Sequence, residues 1–249
     1  MTVSKDAAVP AMRFEDYPRP SVAADLAIIT VEMQDRKGAH DRPRLPLPVP
    51  KVLLIRRREE PYAGRWALPG GFLRPNETIE GAALRELAEE TRVQGVPLRL
   101  LKTYSAPERD PRGWVISVAF CALIPWREEL PIGGSDAAEA RWAELDSVNP
   151  DELAFDHATI LRDAREWVQT HALTTTAVKD FLPERFVLAE LYEVLRALVP
   201  GYDVESVNFR RKVIKKGIIV ATDESEARYS RRPAQLFRFA ETGPDAKIF

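Results

Sequence analysis

Cysteine is almost absent: Cys121 stands alone in 249 residues, so no disulfide can form within the chain. Histidine is nearly as scarce, with three residues and no spacing that suggests a zinc set. No apolar run approaches the roughly 20 residues that a membrane-crossing helix needs. Residues 1–20 hold no apolar core of the kind that marks a secretory leader. Cys121 lies in the apolar run 114–124 and reads as a core thiol. These absences lead us to expect a cytoplasmic protein without a membrane partner. What remains is rich enough to fold, because 45% of the residues are hydrophobic and 30% are charged. The length suits one large domain or two modest ones.

Charge of one sign is missing overall but not locally. The formal net charge is −2. Between Asn208 and Arg238, nine basic residues face three acidic ones, a surplus of six, which leaves the rest of the chain at −8. An acidic body with a basic C-terminal segment suggests a polyanionic partner for that segment alone.

The pattern along the chain is α+β. Residues 1–20 show no periodicity and read as a loose arm. Residues 23–32, 51–56, 98–104, 113–123 and 140–145 read as strands, and 79–91 as a helix. The segment 41–50 contains four prolines and is expected to be a loop rather than a central strand. A helix over 158–173 is expected to start from Asp156 as its cap, with His157 structural. Then come an amphipathic helix at 188–198, a basic helix at 204–216, and two β runs at 218–221 and 234–239. Helix, turn, basic helix and hairpin follow in the order of a winged helix-turn-helix. The expected division is an arm (1–20), a first domain (21–155), a linking helix (156–180), a DNA-binding domain (181–240) and a tail (241–249).

The most specific stretch is GFLRPNETIEGAALRELAEETRV, residues 71–93. Glu86, Glu89 and Glu90 fall on one helix face, where like charges repel. A bare E-x-x-E-E would be read as a solvated acidic face. A hard divalent cation reverses the repulsion, because magnesium takes carboxylate oxygens together with substrate phosphates. Gly71, Glu77, Arg85, Glu86, Leu87, Glu89, Glu90 and Val93 match the Nudix box, G-x5-E-x7-R-E-U-x-E-E-x-G-U, with Arg92 in place of the last glycine. The resemblance implies a Nudix α/β/α sandwich, with Glu86, Glu89 and Glu90 as metal and catalytic ligands and magnesium or manganese as cofactor. It also makes Glu77 and Arg85 a structural charge pair. Arg92 either adopts the left-handed conformation at a cost of roughly 1 kcal/mol or more, or the helix ends differently, near Gly95.

Further stretches narrow the resemblance. WALPGGF (66–72), DPRGWVISVAF (110–120), LAFDHATIL (153–161), NFRRK (208–212) and RRPAQLFRF (231–239) together resemble the NrtR family, Nudix-related regulators of NAD metabolism. That implies a repressor that binds a palindromic double-stranded operator as a homodimer, with ADP-ribose or a related nucleotide as effector. DPRG-x-V-x-S-V-A also looks like ADP-ribose pyrophosphatases, so a magnesium-dependent hydrolase giving AMP and ribose 5-phosphate stays open as the alternative.

Candidate contacts follow from residue chemistry. Arg56, Arg57 and Arg58 follow a strand and could grip a diphosphate; we assign Arg56 and Arg58 to the ligand, with Gly71, Arg109 and Arg112. Tyr104 and Trp114 read as core rings rather than adenine stackers. Glu128, Glu129 and Glu139 are candidates for a general base. For DNA, Asn208 suits adenine, while Arg210, Arg211, Lys212 and Lys215 suit guanine or phosphate. Arg231 and Arg232 stand where a wing would meet the duplex. Phe209 and Phe237 read as core.

Overall fold

The computed structural model describes residues 13–37, 43–126 and 137–240. The arm before residue 13, the tail after 240, and Glu128 and Glu129 lie outside the described residues. Strand β1 (Ser21–Lys37) is the spine of a seven-stranded mixed sheet. It runs parallel to β6 (Val115–Leu123) and antiparallel to β2 (Pro43–Arg57) and β4 (Gly70–Phe72). Strands β3 (Trp66–Ala67) and β7 (Ala137–Glu144) pair with β2, and β5 (Arg99–Tyr104) pairs with β6.

The period of two along β1 decides the layers. Ala24, Leu26 and Ile28 join Ala83 and Leu87 of helix α1 (Ile79–Thr91) on one face. Ala27, Ile29 and Val31 join Ile160, Leu161, Ala164 and Val168 of helix α2 (His157–Thr174) on the other. Side chains alternate across a strand, so one strand of small and branched apolar residues can hold a helix on each side. The result is an α/β/α sandwich, and the helix expected as a linker is one of its layers.

The proline-rich segment is a strand, not a loop: Pro43 to Pro50 belong to β2 and pair with β1 through Pro43↔Lys37, Pro48↔Met33 and Pro50↔Val31. Pro46, Pro48 and Pro50 are two apart, so their missing N–H donors all fall on one edge. Pairing with β7 starts only at Lys51↔Glu144, so beside the prolines that edge needs no donors. Pro43 opens the strand, another position where the lost donor is harmless.

The second half is built on a three-stranded sheet of β8 (Phe186–Val187), β10 (Ala234–Phe239) and β9 (Ile219–Glu226), with helices α3 (Leu188–Leu198) and α4 (Ser206–Lys215). Val194, Leu195, Phe209, Val213 and Phe237 are buried in the same apolar cluster that holds α2 against the first sheet. Among them Phe209 and Phe237 are core side chains, 1% and 4% exposed. No helix among the described residues is long and apolar enough to cross a membrane.

Candidate functional site

Helix α1 is fastened at both ends. Thr78 caps its start, with Oγ1 accepting from the Gly81 amide at 3.0 Å. Arg92 ends it in the left-handed region, φ 58° and ψ 8°, with its N–H on the Ala88 carbonyl at 3.0 Å. Arg92 therefore takes the glycine's conformation itself, and the helix does not run on towards Gly95. Ahead of the helix, Arg85 grips Glu77 through two parallel bonds, Nε to Oε1 at 2.8 Å and Nη2 to Oε2 at 3.0 Å, and reaches the Phe72 carbonyl at 3.1 Å. The hydrogen bonds from Arg85 hold the Glu77 carboxyl below its ordinary pKa, and Glu77 in turn pushes the guanidinium up. This pair ties the loop over residues 72–77 to the helix.

The three carboxylates have different partners. Glu86 and Glu90 line a cleft of about 380 Å³ together with Arg57, Arg58, Arg112 and the chain from Gly70 to Pro75. Glu90 is 6% exposed and accepts from the Gly70 amide at 2.9 Å. Glu89 pairs with Arg74 at 3.2 Å and with Arg85 at 3.3 Å, through the same Nη1 that Glu86 accepts from at 2.6 Å. Among the described residues, no group of three acidic, histidine or cysteine side chains is placed to hold a metal ion. Of the three expected ligands, Glu86 and Glu90 line the cleft, and Glu89 lies next to Glu86, both accepting from Nη1 of Arg85. Two carboxylates still fit magnesium, which commonly completes its shell with water and substrate phosphate oxygens.

Gly71 sits over this pair: a Cβ there would meet Glu86 Oε1 at 2.3 Å. Of the arginines assigned to a ligand, Arg58 and Arg112 line the cleft. Arg56 does not; its Nε donates to the Gly64 carbonyl at 3.0 Å and its guanidinium lies 3.8 Å from Glu139. Arg57 takes the cleft position instead. Successive side chains of a strand point to opposite faces, so Arg56 and its neighbour Arg57 cannot both enter the cleft from β2. Arg109 lies outside that cleft, in the wall of a small adjoining pocket of about 40 Å³ that shares Arg57, Gly70, Gly71 and Phe72 with it. Its side chain is buried, on Asp156 at 2.7 and 3.0 Å and on Asp25 at 3.2 Å. Burial alone would lower its pKa, but the Asp156 hydrogen bonds and the Asp25 charge outweigh it and raise it. Asp156 consequently gives α2 no side-chain cap, its carboxylate being spent on Arg109. Trp114, expected in the core, is 50% exposed, whereas Tyr104 is buried with its hydroxyl on Asp163 of α2 at 2.9 Å.

His157 completes the buried cluster. Its Nδ1 accepts from the Leu68 amide at 2.9 Å, which places the ring hydrogen on Nε2, 3.5 Å from Asp25 Oδ1. Burial lowers its pKa, against the opposing charge of Asp25. The unfolded chain therefore takes up a proton that the folded chain refuses. Stability is unaffected above the ordinary histidine pKa of about 6.5 and declines as pH falls below it, by at most about 1.4 kcal/mol per pH unit from this group. Thermal melts between pH 7.5 and 5 should show that decline, and His157→Asn, which keeps an acceptor for Leu68, should flatten it. An equal slope in both proteins would assign the effect elsewhere.

The C-terminal half presents cations differently. Arg210, Arg211, Lys212 and Lys215 are all exposed on α4, as is Lys216 at its C-cap, while Phe209 and Val213 are buried. Asn208 accepts from Arg211 at 3.0 Å and donates to Glu205 at 3.2 Å. Val207 is 75% exposed on the same helix. Between β9 and β10, Arg231 and Arg232 are exposed. Arg228, counted in the basic surplus, is turned inward to the buried Glu190 of α3, which also accepts from Tyr229 at 2.5 Å and from the Val187 amide at 2.7 Å. Glu190 thereby anchors the loop that carries Arg231 and Arg232.

A sandwich whose acidic helix closes an arginine-lined cleft, followed by a two-helix unit with a β wing, defines a Nudix domain joined to a winged helix. Residues 45–164 match the NUDIX domain profile and residues 178–239 the NrtR DNA-binding winged helix domain. The chain is 32% identical over 228 residues to an ADPR responsive transcriptional repressor of Acinetobacter baylyi, covering 90% of this chain and 84% of that protein. The NrtR of Shewanella oneidensis has the same architecture at 29% identity, with a TM-score of 0.69 over 91% of this chain and 97% of that one. Its complex with a 27mer DNA matches at 28% identity with a TM-score of 0.67, covering 88% and 93%. Its NUDIX domain complexed with ADP ribose matches at 30% identity with a TM-score of 0.51, covering 63% and 93%. An ADP-ribose pyrophosphatase of Methanocaldococcus jannaschii is 44% identical over 117 residues, 47% of this chain and 67% of that enzyme. The chain belongs to the NrtR family. Nudix hydrolases, whose fold it shares, generally use a divalent metal.

Proposed function

We propose that this protein is a transcriptional repressor whose hold on DNA responds to ADP-ribose or a closely related nucleotide. The observation that carries the reading is the coexistence, on one chain, of a nucleotide-sized cleft with Arg57, Arg58 and Arg112 in its wall and a helix with four exposed cations. Guanidinium groups match diphosphate oxygens in charge and planar geometry. On α4, Arg210, Arg211, Lys212 and Lys215 supply phosphate and guanine contacts, Asn208 an adenine contact and Val207 an apolar face for a thymine methyl. Arg231 and Arg232 reach the flanking backbone. Arg109 holds the frame rather than the ligand. The protein works as a cytoplasmic homodimer on a palindromic operator, so that ligand shifts the spacing of two winged helices. Magnesium, or manganese, would be held by Glu86 and Glu90 with the nucleotide's phosphates, and would screen their charge.

Fluorescence anisotropy with the DNA upstream of the gene tests this. Binding is expected to weaken when ADP-ribose is added, which requires the ligand to favour the DNA-free state. Unchanged anisotropy at saturating ADP-ribose would sink the effector reading. Arg211→Ala with Lys212→Ala should weaken binding and lower the salt slope by about 0.9 for each lost phosphate contact.

Because Glu86 and Glu90 still face the cleft, hydrolysis is the second reading. Phosphate-coupled turnover of ADP-ribose that Glu90→Gln abolishes would move it to first place.

A further inference from the structure

The chain entering α2 is held by three consecutive side chains, each clasped from the side of the cleft. Asp156 takes Arg109, and His157 takes the Leu68 amide. Phe155, just before them, is the unusual member. Its backbone is left-handed, φ 53°, a conformation that a bulky residue rarely holds unless its surroundings impose it. Those surroundings are specific. Tyr62, itself left-handed at φ 68°, meets the Phe155 ring edge-on at 4.9 Å between centroids. The guanidinium carbons of Arg57 and Arg112 lie 4.8 and 5.2 Å from the centre of the same ring.

Both of those arginines line the nucleotide cleft. Burial, and then the nearby Arg112 charge, push the Arg57 pKa down, so the two cations are crowded. A ring face is a weak acceptor for either of them compared with a phosphate oxygen. We propose that Phe155 is a positioning residue: beside the Pro61 carbonyl on Arg57 (2.9 Å) and the Asp110 carboxylate on Arg112 (2.7 Å), its ring helps to hold both guanidinium groups in the unliganded protein, and it yields them to the diphosphate of the bound nucleotide, which frees the strained backbone at the start of α2. The proposal rests on the ADP-ribose reading above and supplies its route. Occupancy of the cleft is felt at Phe155, Phe155 sets the first turn of α2, and α2 shares a continuous core with α3 and α4. The ring thus competes with the ligand, and that competition is the coupling.

Competition gives an unusual sign. Removing the ring should tighten nucleotide binding while disconnecting it from α2. In the full chain, Phe155→Leu keeps apolar bulk but offers no π face. Calorimetry should show its ADP-ribose Kd falling roughly fivefold or more, the combined worth of two cation–π contacts. Hydrogen–deuterium exchange should show the ADP-ribose-induced change across α2, present in the wild type, largely lost. Phe155→Tyr, which keeps the ring, should behave as wild type on both counts. If Phe155→Leu does not fold, Phe155→Asn serves instead, because asparagine tolerates the left-handed conformation. A weaker or unchanged Kd, or an α2 response like that of the wild type, overturns the proposal. Failure of the wild type itself to bind ADP-ribose is seen without any variant; it removes the effector reading and this coupling with it.

Discussion

Gly70→Ala will unfold the Nudix half at a markedly lower temperature, while Gly71→Ala, one residue on, will leave the melting point nearly unchanged. Both glycines lie in β4 against β1, and both lack room for a Cβ. What differs is the obstacle. At Gly70 a Cβ would stand 2.3 Å from the Ala24 carbonyl oxygen and 3.0 Å from the Asp25 Cα, both backbone atoms of the central strand. Neither can move without displacing β1 from its ladders. The amide of Gly70 also donates to Glu90, so any shift there disturbs the cleft. A cost of about 3 kcal/mol or more is expected, which for a chain of this size lowers Tm by roughly 10 °C. At Gly71 the obstacle is the carboxylate of Glu86, at 2.3 Å to Oε1, the far end of a side chain that can rotate. The fold survives, but Glu86 leaves the cleft, and binding of ADP-ribose in magnesium should weaken. Thermal melts paired with calorimetry separate the two outcomes. Equal losses of stability in both variants would show that the strand, rather than the side chain, yields at either site.

Arg109→Met carries the second large effect. Its side chain is 3% exposed and bridges Asp25 at 3.2 Å and Asp156 at 2.7 Å, so it is the one cation between two carboxylates. Ser117 adds a 2.5 Å hydrogen bond to Asp25, and His157 flanks it. Methionine fills much of the volume but leaves Asp25, 6% exposed, facing Asp156 without a counter-charge. Breaking a buried pair by removing one partner costs about 3–5 kcal/mol, because the survivor stays desolvated. Urea denaturation should show a loss of that size. Adding Asp25→Asn should restore part of it, since the neutral amide no longer needs the guanidinium. A direct ligand contact at Arg109 would behave otherwise, with stability kept and only the affinity for ADP-ribose lost. That second pattern would reverse the placement of Arg109 behind the cleft.

How far the sequence could be read follows from which interactions are local. The helix at 79–91 was legible because the box fixes its residues and apolar Ala83 and Leu87 recur at helical spacing. The helix at 188–198 was legible for the same reason, with Leu191, Val194, Leu195 and Leu198 buried on one side. The proline-rich half of β2 was not legible. Four prolines normally exclude a strand, and only the sheet decides which edge has no partner to donate to. Arg56 and Arg57 show the same limit at the site. Both are arginines on one strand with side chains on opposite faces, and only the placement of β2 in the sheet decides which face meets the cleft. Phe155 was visible only as part of LAFDHATIL; its left-handed backbone was not legible, since it sits among Tyr62, Arg57 and Arg112 brought from elsewhere.

By itself, then, the sequence determined the class of each half. The spaced residues of the box and the order of helix, basic helix and hairpin are local patterns that one chain carries in its own covalent order. Tertiary structure decided which of those residues share the cleft. Glu89 is paired with Arg74 from the loop, Arg109 is drawn inward by Asp25 and Asp156, and Phe155 is held between two arginines from different segments. Those are charge and packing contacts between distant parts of the chain, and they exist only once the sheet has brought the parts together.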